Sequence, residues 1–383
     1  AYDICTRRFS AEALGDVDLS CWRLALNGAE PVRAETLAGF NGTYVPLGFK
    51  ESALMPAYGM AEATVFLCGG ALLTPPKIVT ADRDELQSGV FAPATGASSK
   101  PIDVVSCGSA PDGHDIIVVV DAEVSAEGRV GEIWARGTSI TSGYWGKPED
   151  SRALFQAFTK QGQGPYLRTG DLGFISDGEL FVLGRIKDVV VVQGRNIHPH
   201  DVEACVRASL SASTIGDAVV FGVDGAATEN LVLLLEVRPR FMEGSYESIA
   251  ADLRANVFAS FGVLIAEIAF VRVGAVMKTT SGKVMRRAMR DRYAENTIDA
   301  LHVSVLDLSS EEYAPLSTET EFQLAKVWEN VLGVSKVHAS SNFLALGGDS
   351  LTLARLIANI RSQWSVDLPL KRVFEGPILS TLA

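Results

Sequence analysis

Residues 166–203, YLRTGDLGFISDGELFVLGRIKDVVVVQGRNIHPHDVE, constrain this chain more than any other stretch. Thr169-Gly170-Asp171 reads as a tight turn that presents a carboxylate after an extended segment. Gly184-Arg185-Ile186-Lys187-Asp188 then places a glycine-released turn and three charges between two apolar strands. Gly194-Arg195-Asn196 leads into His198-Pro199, and Pro199 opens a helix running through Glu203. A carboxylate, a basic strand junction and a new element in quick succession predict a nucleotide site beside a domain boundary. With 383 residues there is room for two or three domains, at ~150 residues each.

Composition removes several classes of function. A net charge of −12 disfavours a general nucleic-acid binder, whose footprint is basic; the basic run at 278–292 is local. Cys5, Cys21, Cys68, Cys107 and Cys205 are odd in number and form no close pair. A reducing, cytoplasmic setting is therefore expected rather than a disulfide framework. No apolar run approaches the ~20 residues of a membrane helix; the longest, such as 189–192 and 231–235, are strand-sized. The first residue is Ala1 and no signal peptide is read, so a fragment or processed product is expected.

In chain order, residues 22–26 read as a buried strand, broken at 27–31, with Pro31 in the first turn of a helix through Phe40. Open α/β sheets present ligand sites in such loops, although an ordinary connection has the same appearance. In PAYGMAEAT, at 56–64, Gly59 lets backbone approach a flat ligand and Tyr58 is available to cover its face. Glu62 offers a hard oxygen suited to Mg²⁺, or else a solvated charge. From 72 to 107 the composition shifts to Pro, Ala, Gly and Ser with short apolar interruptions, an ordered insertion. Residues 115–121 and 130–136 read as paired strands with a turn at Glu127-Gly128, and 148–158 as a helix.

Beyond residue 200, helices alternate with strands at 218–223, 231–237 and 268–273, a small α+β unit. Residues 278–283, KTTSGK, form a flexible turn before an Arg-rich helix at 284–294. On its own this reads as a solvated loop and a basic helix face. A tether of low periodicity follows. Phe322, Ala325, Trp328, Val331 and Leu332 then recur at helical spacing, closed by Gly333. NFLALGGDSL, at 342–351, delivers Ser350 to the start of a helix with Leu353, Leu356, Ile357 and Ile360 on one face. Ser350 is read either as a capping residue or as a phosphate position at a helix N-terminus. There is no internal repeat, G-x-S-x-G elbow or Walker-type loop. His198 and His200 lack companions at metal-ligand spacing, so zinc is not expected.

Taken together, these segments resemble the adenylate-forming superfamily in order and spacing, and within it the fatty acyl-AMP ligases. The A-E-A-T tail of PAYGMAEAT, the NGAEPV run, the GRNIHPHDVE run and the insertion at 72–107 carry the second likeness. From about residue 317, LGGDSL resembles an acyl or peptidyl carrier protein. The resemblance implies an α/β and α+β multidomain chain. Residues 1–186 would be the distal part of the large domain, 187–295 a mobile α+β lid, 296–316 a linker and 317–383 an all-α four-helix carrier.

The same resemblance implies roles. Gly28, Ala29, Glu30, Tyr58 and Gly59 would line the adenine and acyl side. Asp171, helped by Arg185, would take the ribose, and Glu62 would bind Mg²⁺. Lys187 would be the hinge, Lys283 the catalytic lysine and Ser350 the attachment point of 4′-phosphopantetheine. The implied reaction is ATP-dependent conversion of a fatty acid to its acyl-adenylate, then transfer to the carrier thiol, as a loading module. Expected partners are the fatty acid, the carrier in cis, a phosphopantetheinyl transferase and downstream polyketide or peptide synthase modules, without nucleic acid or a membrane span. An acyl-CoA synthetase using free CoA and a non-catalytic carrier fragment are the alternatives. Three departures accompany the likeness. The family's phosphate loop is absent, so complete adenylation by this chain alone is not expected. Met277 replaces a usual proline, and the chain ends at Leu382-Ala383 inside the carrier's expected last helix.

Overall fold

The computed structural model describes residues 1–383 except 96–99, 193–194, 212–213, 225–228, 242–244, 281, 307–312 and 349. Gly194 of the GRN run and Ser281 of the KTTSGK turn thus lie outside the described residues. The chain divides into two compact units, Ala1–Val189 and Val190–Ala383.

In the first unit, strands Ala25–Asn27 and Leu54–Tyr58 run parallel, joined through helix Ala34–Tyr44. The helix buries Ala34, Leu37 and Phe40 in a cluster with Phe49, Leu54 and Val105. The expected strand at 22–26 is displaced toward the C-terminus. Trp22 instead donates its indole N–H to the Leu24 carbonyl (2.7 Å) and packs edge-on against Phe49 and Phe40. Aromatic contact thereby takes Trp22 out of the ladder. The helix begins at Ala34 rather than Pro31, because Arg33 is still extended at its N-cap.

The unit's second sheet has the order 179–185, 167–176, 131–137, 114–120 and 123–124, antiparallel throughout. The expected pairing of 115–121 with 130–136 is present, with Asp115 opposite Arg136. Thr169-Gly170-Asp171 is not a turn: it lies within strand Leu167–Ser176. Gly170 has φ 72°, and the register against strand Gly131–Gly137 shifts between Glu132 and Trp134. A glycine at positive φ here makes a bulge instead of reversing the chain. The helix expected at 148–158 ends at Phe155. The 72–107 insertion forms an antiparallel pair, Ile78–Asp82 with Pro101–Val105. It is fixed by apolar contact with Phe174 and Phe181, whose rings stack 4.8 Å apart.

The second unit is built on a sheet of order 215–224, 229–237, 265–272 and 300–305. Its strand Glu229–Val237, ENLVLLLEV, is apolar on successive residues because both faces are covered. Leu231, Leu233 and Leu235 pack with helices Pro199–Ser209 and Tyr246–Phe261. Val232 and Leu234 face Met289 of helix Arg286–Ala294.

Residues 296–316, expected as a linker, include the edge strand Ala300–Val305. Its polarity is inverted: Ser304 is fully buried, while Val303 and Val305 are exposed. The cause is Arg254, itself buried, which donates to the Ser304 hydroxyl (3.0 Å), the Ser304 carbonyl (2.8 Å) and the Ile265 carbonyl (3.0 Å). Burial pulls that guanidinium down to about 10, so it stays charged at neutral pH. Ser304 in turn donates to Glu247 (2.6 Å).

The carrier follows as helices Glu319–Leu332, Ser350–Trp364, Leu370–Glu375 and Leu379–Leu382. Thr318 and Glu321 form a reciprocal capping box on the first, and Gly333 ends it at φ 68°. Trp328 and Phe343, edge to face at 5.1 Å, centre its core with Leu353 and Leu356.

Leu233 is 0% exposed. Leu233→Ala should cost about 2–5 kcal/mol of stability, measured by urea unfolding of the full chain.

Candidate functional site

Gly28, Ala29 and Glu30 leave the end of strand Ala25–Asn27, whose Asn27 is in register with Pro56 of the parallel neighbour. A Cβ at position 28 would lie 2.6 Å from the Ala57 carbonyl oxygen, so only glycine lets the two strand ends approach. Ala29 turns the chain at φ 69° and is exposed with Glu30. At Gly59 a Cβ would fall 1.6 Å from the Val65 carbonyl oxygen. Two tight loops thus lie side by side at the C-terminal ends of parallel strands, where open α/β sheets bind ligands.

Tyr58 connects these loops to the bulged strand. Its hydroxyl donates to Asp171 Oδ2 at 2.7 Å, a bond between positions 113 apart. Asp171 Oδ1 lies 3.3 Å from Arg185 Nε, because Asp171 and Arg185 are opposite each other on adjacent strands. Burial raises the Asp171 carboxyl above the ordinary range, opposed by the Tyr58 hydrogen bond and by Arg185. The Tyr58 phenol is driven far up by burial and by Asp171. Gly28, Tyr58, Gly59, Asp171 and Arg185 are therefore joined around one hydrogen bond. Tyr58 was read as a cover for a flat ligand; its hydroxyl is also what orients the carboxylate.

Glu62 lies in a single 3₁₀ turn, Ala61–Ala63, followed by two non-glycine residues at positive φ, Thr64 (51°) and Val65 (83°). The turn is held from the loop after strand Gly131–Gly137. The Thr141 N–H donates to the Glu62 carbonyl (2.8 Å), and the Thr64 hydroxyl donates to the Ser139 carbonyl (2.8 Å). Tyr144 donates to Glu62 Oε1 at 2.5 Å, and that bond is the main reason its phenol is pushed up to about 12. Sequence reasoning missed Tyr144; its only signal was an aromatic pair between glycines in SGYWG. Among the described residues no group of three or more His, Cys, Asp or Glu forms a metal cage. A half-exposed carboxylate held on one oxygen suits Mg²⁺, which is usually shared with substrate phosphates.

In the second unit, Lys283 stands exposed on a hairpin closed by the Thr279 N–H to the Lys283 carbonyl (2.8 Å). The Lys283 N–H donates to the Thr279 hydroxyl (3.1 Å). The hairpin's root is tied by Glu236, 2% exposed, which accepts the backbone N–H of Gly274 (2.8 Å), Val276 (2.9 Å) and Asp217 (3.0 Å). Asp217 then pairs with Lys278. This organising acid also escaped notice, although an acid ending an otherwise apolar strand was a signal.

Ser350 heads helix Ser350–Trp364. The loop before it is built: Asn342 Oδ1 accepts the N–H of Leu344 (3.0 Å) and Ala345 (3.2 Å), and Gly347 has φ 94°. A Cβ at Gly348 would meet the Phe343 ring at 2.4 Å, so the double glycine lets backbone close on that ring. Lys187 is exposed in the 3₁₀ turn Ile186–Asp188, on the first unit's side of the break. Lys283 and Ser350 belong to the second unit, one on the sheet domain's hairpin and one on the helical bundle.

Comparison with known families places these features. Residues 3–145 match the model described as AMP-binding enzyme, 187–303 that of the Disco-interacting protein 2-like AMP domain, and 323–383 the phosphopantetheine attachment site. Residues 3–145 and 187–303 are thus AMP-binding segments, and 323–383 is a phosphopantetheine carrier segment. The Ser350 helix falls in a matched segment, as do Glu62, Tyr144 and Lys283.

Curated relatives of this chain include the medium-chain-fatty-acid–[acyl-carrier-protein] ligase JamA of Moorena producens. It is 35% identical over 305 residues, 78% of this chain and 52% of the relative. The ligase of the same description, TtuA, from Teredinibacter turnerae is 35% identical over 331 residues, 83% of this chain and 50% of the relative. The chain spans about half the length of these relatives. Among solved structures, one from studies of fatty acyl-adenylate ligases from E. coli and L. pneumophila aligns with TM-score 0.67 at 30% identity. It covers 77% of this chain and 51% of the other. The structure of McyG A-PCP aligns over 100% of this chain and 56% of its own, with TM-score 0.66 at 23% identity, a likeness of fold.

The buried Asp171 carboxylate carries a cost. A carboxyl whose folded pKa exceeds its unfolded value contributes stability that is complete below the unfolded value and lost as pH rises through the folded one. Asp171→Asn should therefore raise Tm at neutral pH, with the gain over wild type shrinking in acid; thermal melts across that range check it.

Proposed function

We propose that the protein to which this chain belongs activates a fatty acid as its acyl-adenylate and passes the acyl group to a phosphopantetheine thiol on Ser350. The observation that carries this reading is the union, in one chain, of the Tyr58–Asp171–Arg185 constellation with a carrier whose helix begins at Ser350. A carboxylate offers roughly four acceptor sites, and Tyr58 and Arg185 use two of the Asp171 sites. The remainder accept ribose hydroxyls in charge-assisted bonds. Gly28 and Gly59 let the loops close on neighbouring backbone, shaping the edge against which the base and the acyl carboxylate would lie. Bringing a fatty carboxylate onto an α-phosphate gathers anions, so positive charge must offset them. Lys283, on its anchored hairpin, supplies one such charge. Glu62, held on one oxygen by Tyr144, would bind Mg²⁺ through the other, and that ion would supply further positive charge at the phosphate oxygens.

Transfer requires the lid to turn, with Lys187 as pivot at the head of 187–295 and the carrier at 317–383. Rotation withdraws Lys283 and admits the thiol. Tethering in cis raises the thiol's effective concentration toward roughly millimolar. A phosphopantetheinyl transferase would prime Ser350, and polyketide or peptide synthase modules would receive the acyl group. A cytoplasmic setting fits the five free cysteines, and no helix among the described residues is long and apolar enough to cross a membrane.

The test supplies the portion of its relatives' length that this chain does not span, a phosphopantetheinyl transferase, ATP and fatty acids of several lengths, and weighs the intact protein. One phosphopantetheine arm, then one acyl group, should appear on Ser350, and neither on Ser350→Ala. Acyl-CoA as the sole thioester product would overturn the reading. Lys283→Ala should slow adenylation on the order of 10²–10³-fold, by pyrophosphate release, while leaving priming of Ser350 unchanged.

A further inference from the structure

Helix Tyr246–Phe261 is apolar on two faces, and the sheet it crosses accounts for one. Ile249, Ala250, Leu253, Val257 and Phe261 belong to the core against that sheet. Ala251, Ala255 and Phe258, spaced one turn apart on another side, are also buried, at 2%, 7% and 2% exposure. These three belong to the carrier's core, with Val373, Phe374 and Leu379. A helix with a second apolar face needs a second cover. Without the carrier, Phe258 would open to water on a domain that otherwise completes its own core.

The contact is specific in geometry. Phe258 meets Phe374 edge to face at 5.4 Å. Beside it, Lys371 Nζ lies 2.7 Å from Asp252 Oδ2 and donates to the Ser248 hydroxyl at 2.9 Å. Asp252 and Ser248 are neighbours one turn apart on the lid helix, and Lys371 and Phe374 one turn apart on the short carrier helix Leu370–Glu375. An apolar pair and a charge clamp thus match along two helices in a single register. Leu306, just past the edge strand, is buried in the same cluster. The following residues 307–316, roughly ten, span at most ~35 Å, so the carrier is confined near this face.

We infer that the outer face of helix Tyr246–Phe261 is a docking platform for the chain's own carrier, and that lid and carrier move as one body. The carrier then turns with the lid instead of swinging freely on its tether. The dock uses no group of Ser350 and so precedes priming.

A zero-length carbodiimide tests this on the dilute, unprimed full chain, since it condenses an amine with a carboxylate only where they already pair. Peptide mass spectrometry should find an intramolecular Lys371–Asp252 isopeptide. Phe258→Asp should abolish it and enlarge the radius of gyration in X-ray scattering, with near-UV circular dichroism showing that both domains remain folded. Should that variant not fold, Asp252→Lys alone should lose the cross-link, and Asp252→Lys with Lys371→Asp should regain it. Absence of the isopeptide from the wild-type chain, a cross-link found only between two chains, or no regain in the swapped pair would each overturn the inference.

Discussion

The hydrogen bond from Tyr58 to Asp171 spans two sheets of the first unit that are distinct in strand order. Tyr58 ends a parallel strand, and Asp171 follows a bulge in an antiparallel one. Neither side chain is positioned by its own neighbours alone. The carboxylate is taken out of water, which raises its pKa, and the phenol and Arg185 offset part of that cost. In the proposed role, an acceptor already stripped of solvent and held at one angle would suit ribose hydroxyls, and recognition would recover the penalty of burying it.

Buried acids serve the second unit in a different way. Glu236 collects three backbone N–H groups and fixes the root of the Lys283 hairpin, leaving its tip exposed. Glu203 accepts the Val220 N–H and pairs with Arg286 at 2.6 Å, locking the first helix of the unit to the Arg-rich one. Glu236 takes backbone donors where strands give way to loops, and Glu203 takes an open donor on the edge strand Ile215–Asp224. Lys283 thus projects from a hairpin whose root is tied by several hydrogen bonds.

Much of this was legible in the sequence, and the rest was hidden for identifiable reasons. The Trp328 helix and the Leu353–Leu356–Ile360 face follow from spacing, because helical burial repeats within a few residues. The loops at Gly28 and Gly59 were legible from their small residues, whereas the parallel partner strand Leu54–Tyr58 was not read. The bulge at Gly170 was mistaken for a turn, since both use a glycine at positive φ and only the neighbouring strand separates them. Strand Ala300–Val305 was obscured by its inverted pattern, with a serine inside and valines outside. The bonds from Tyr58 to Asp171 and from Tyr144 to Glu62 cross 113 and 82 positions. No local periodicity reports on such distances.

The Arg254 cluster has a mechanical side. The chain leaves the lid for the carrier from Val305, so any pull carried along the chain, and not through the docked face, reaches the edge strand first. An antiparallel edge loaded from its end would peel one hydrogen bond at a time. Arg254 and Glu247 grip Ser304 next to that exit point, through both its hydroxyl and its carbonyl. The rivet lies where the load enters. Tension along the chain would thus reach helix Tyr246–Phe261 as a whole rather than unzip the sheet, which gives the lever arm between lid and carrier a fixed end.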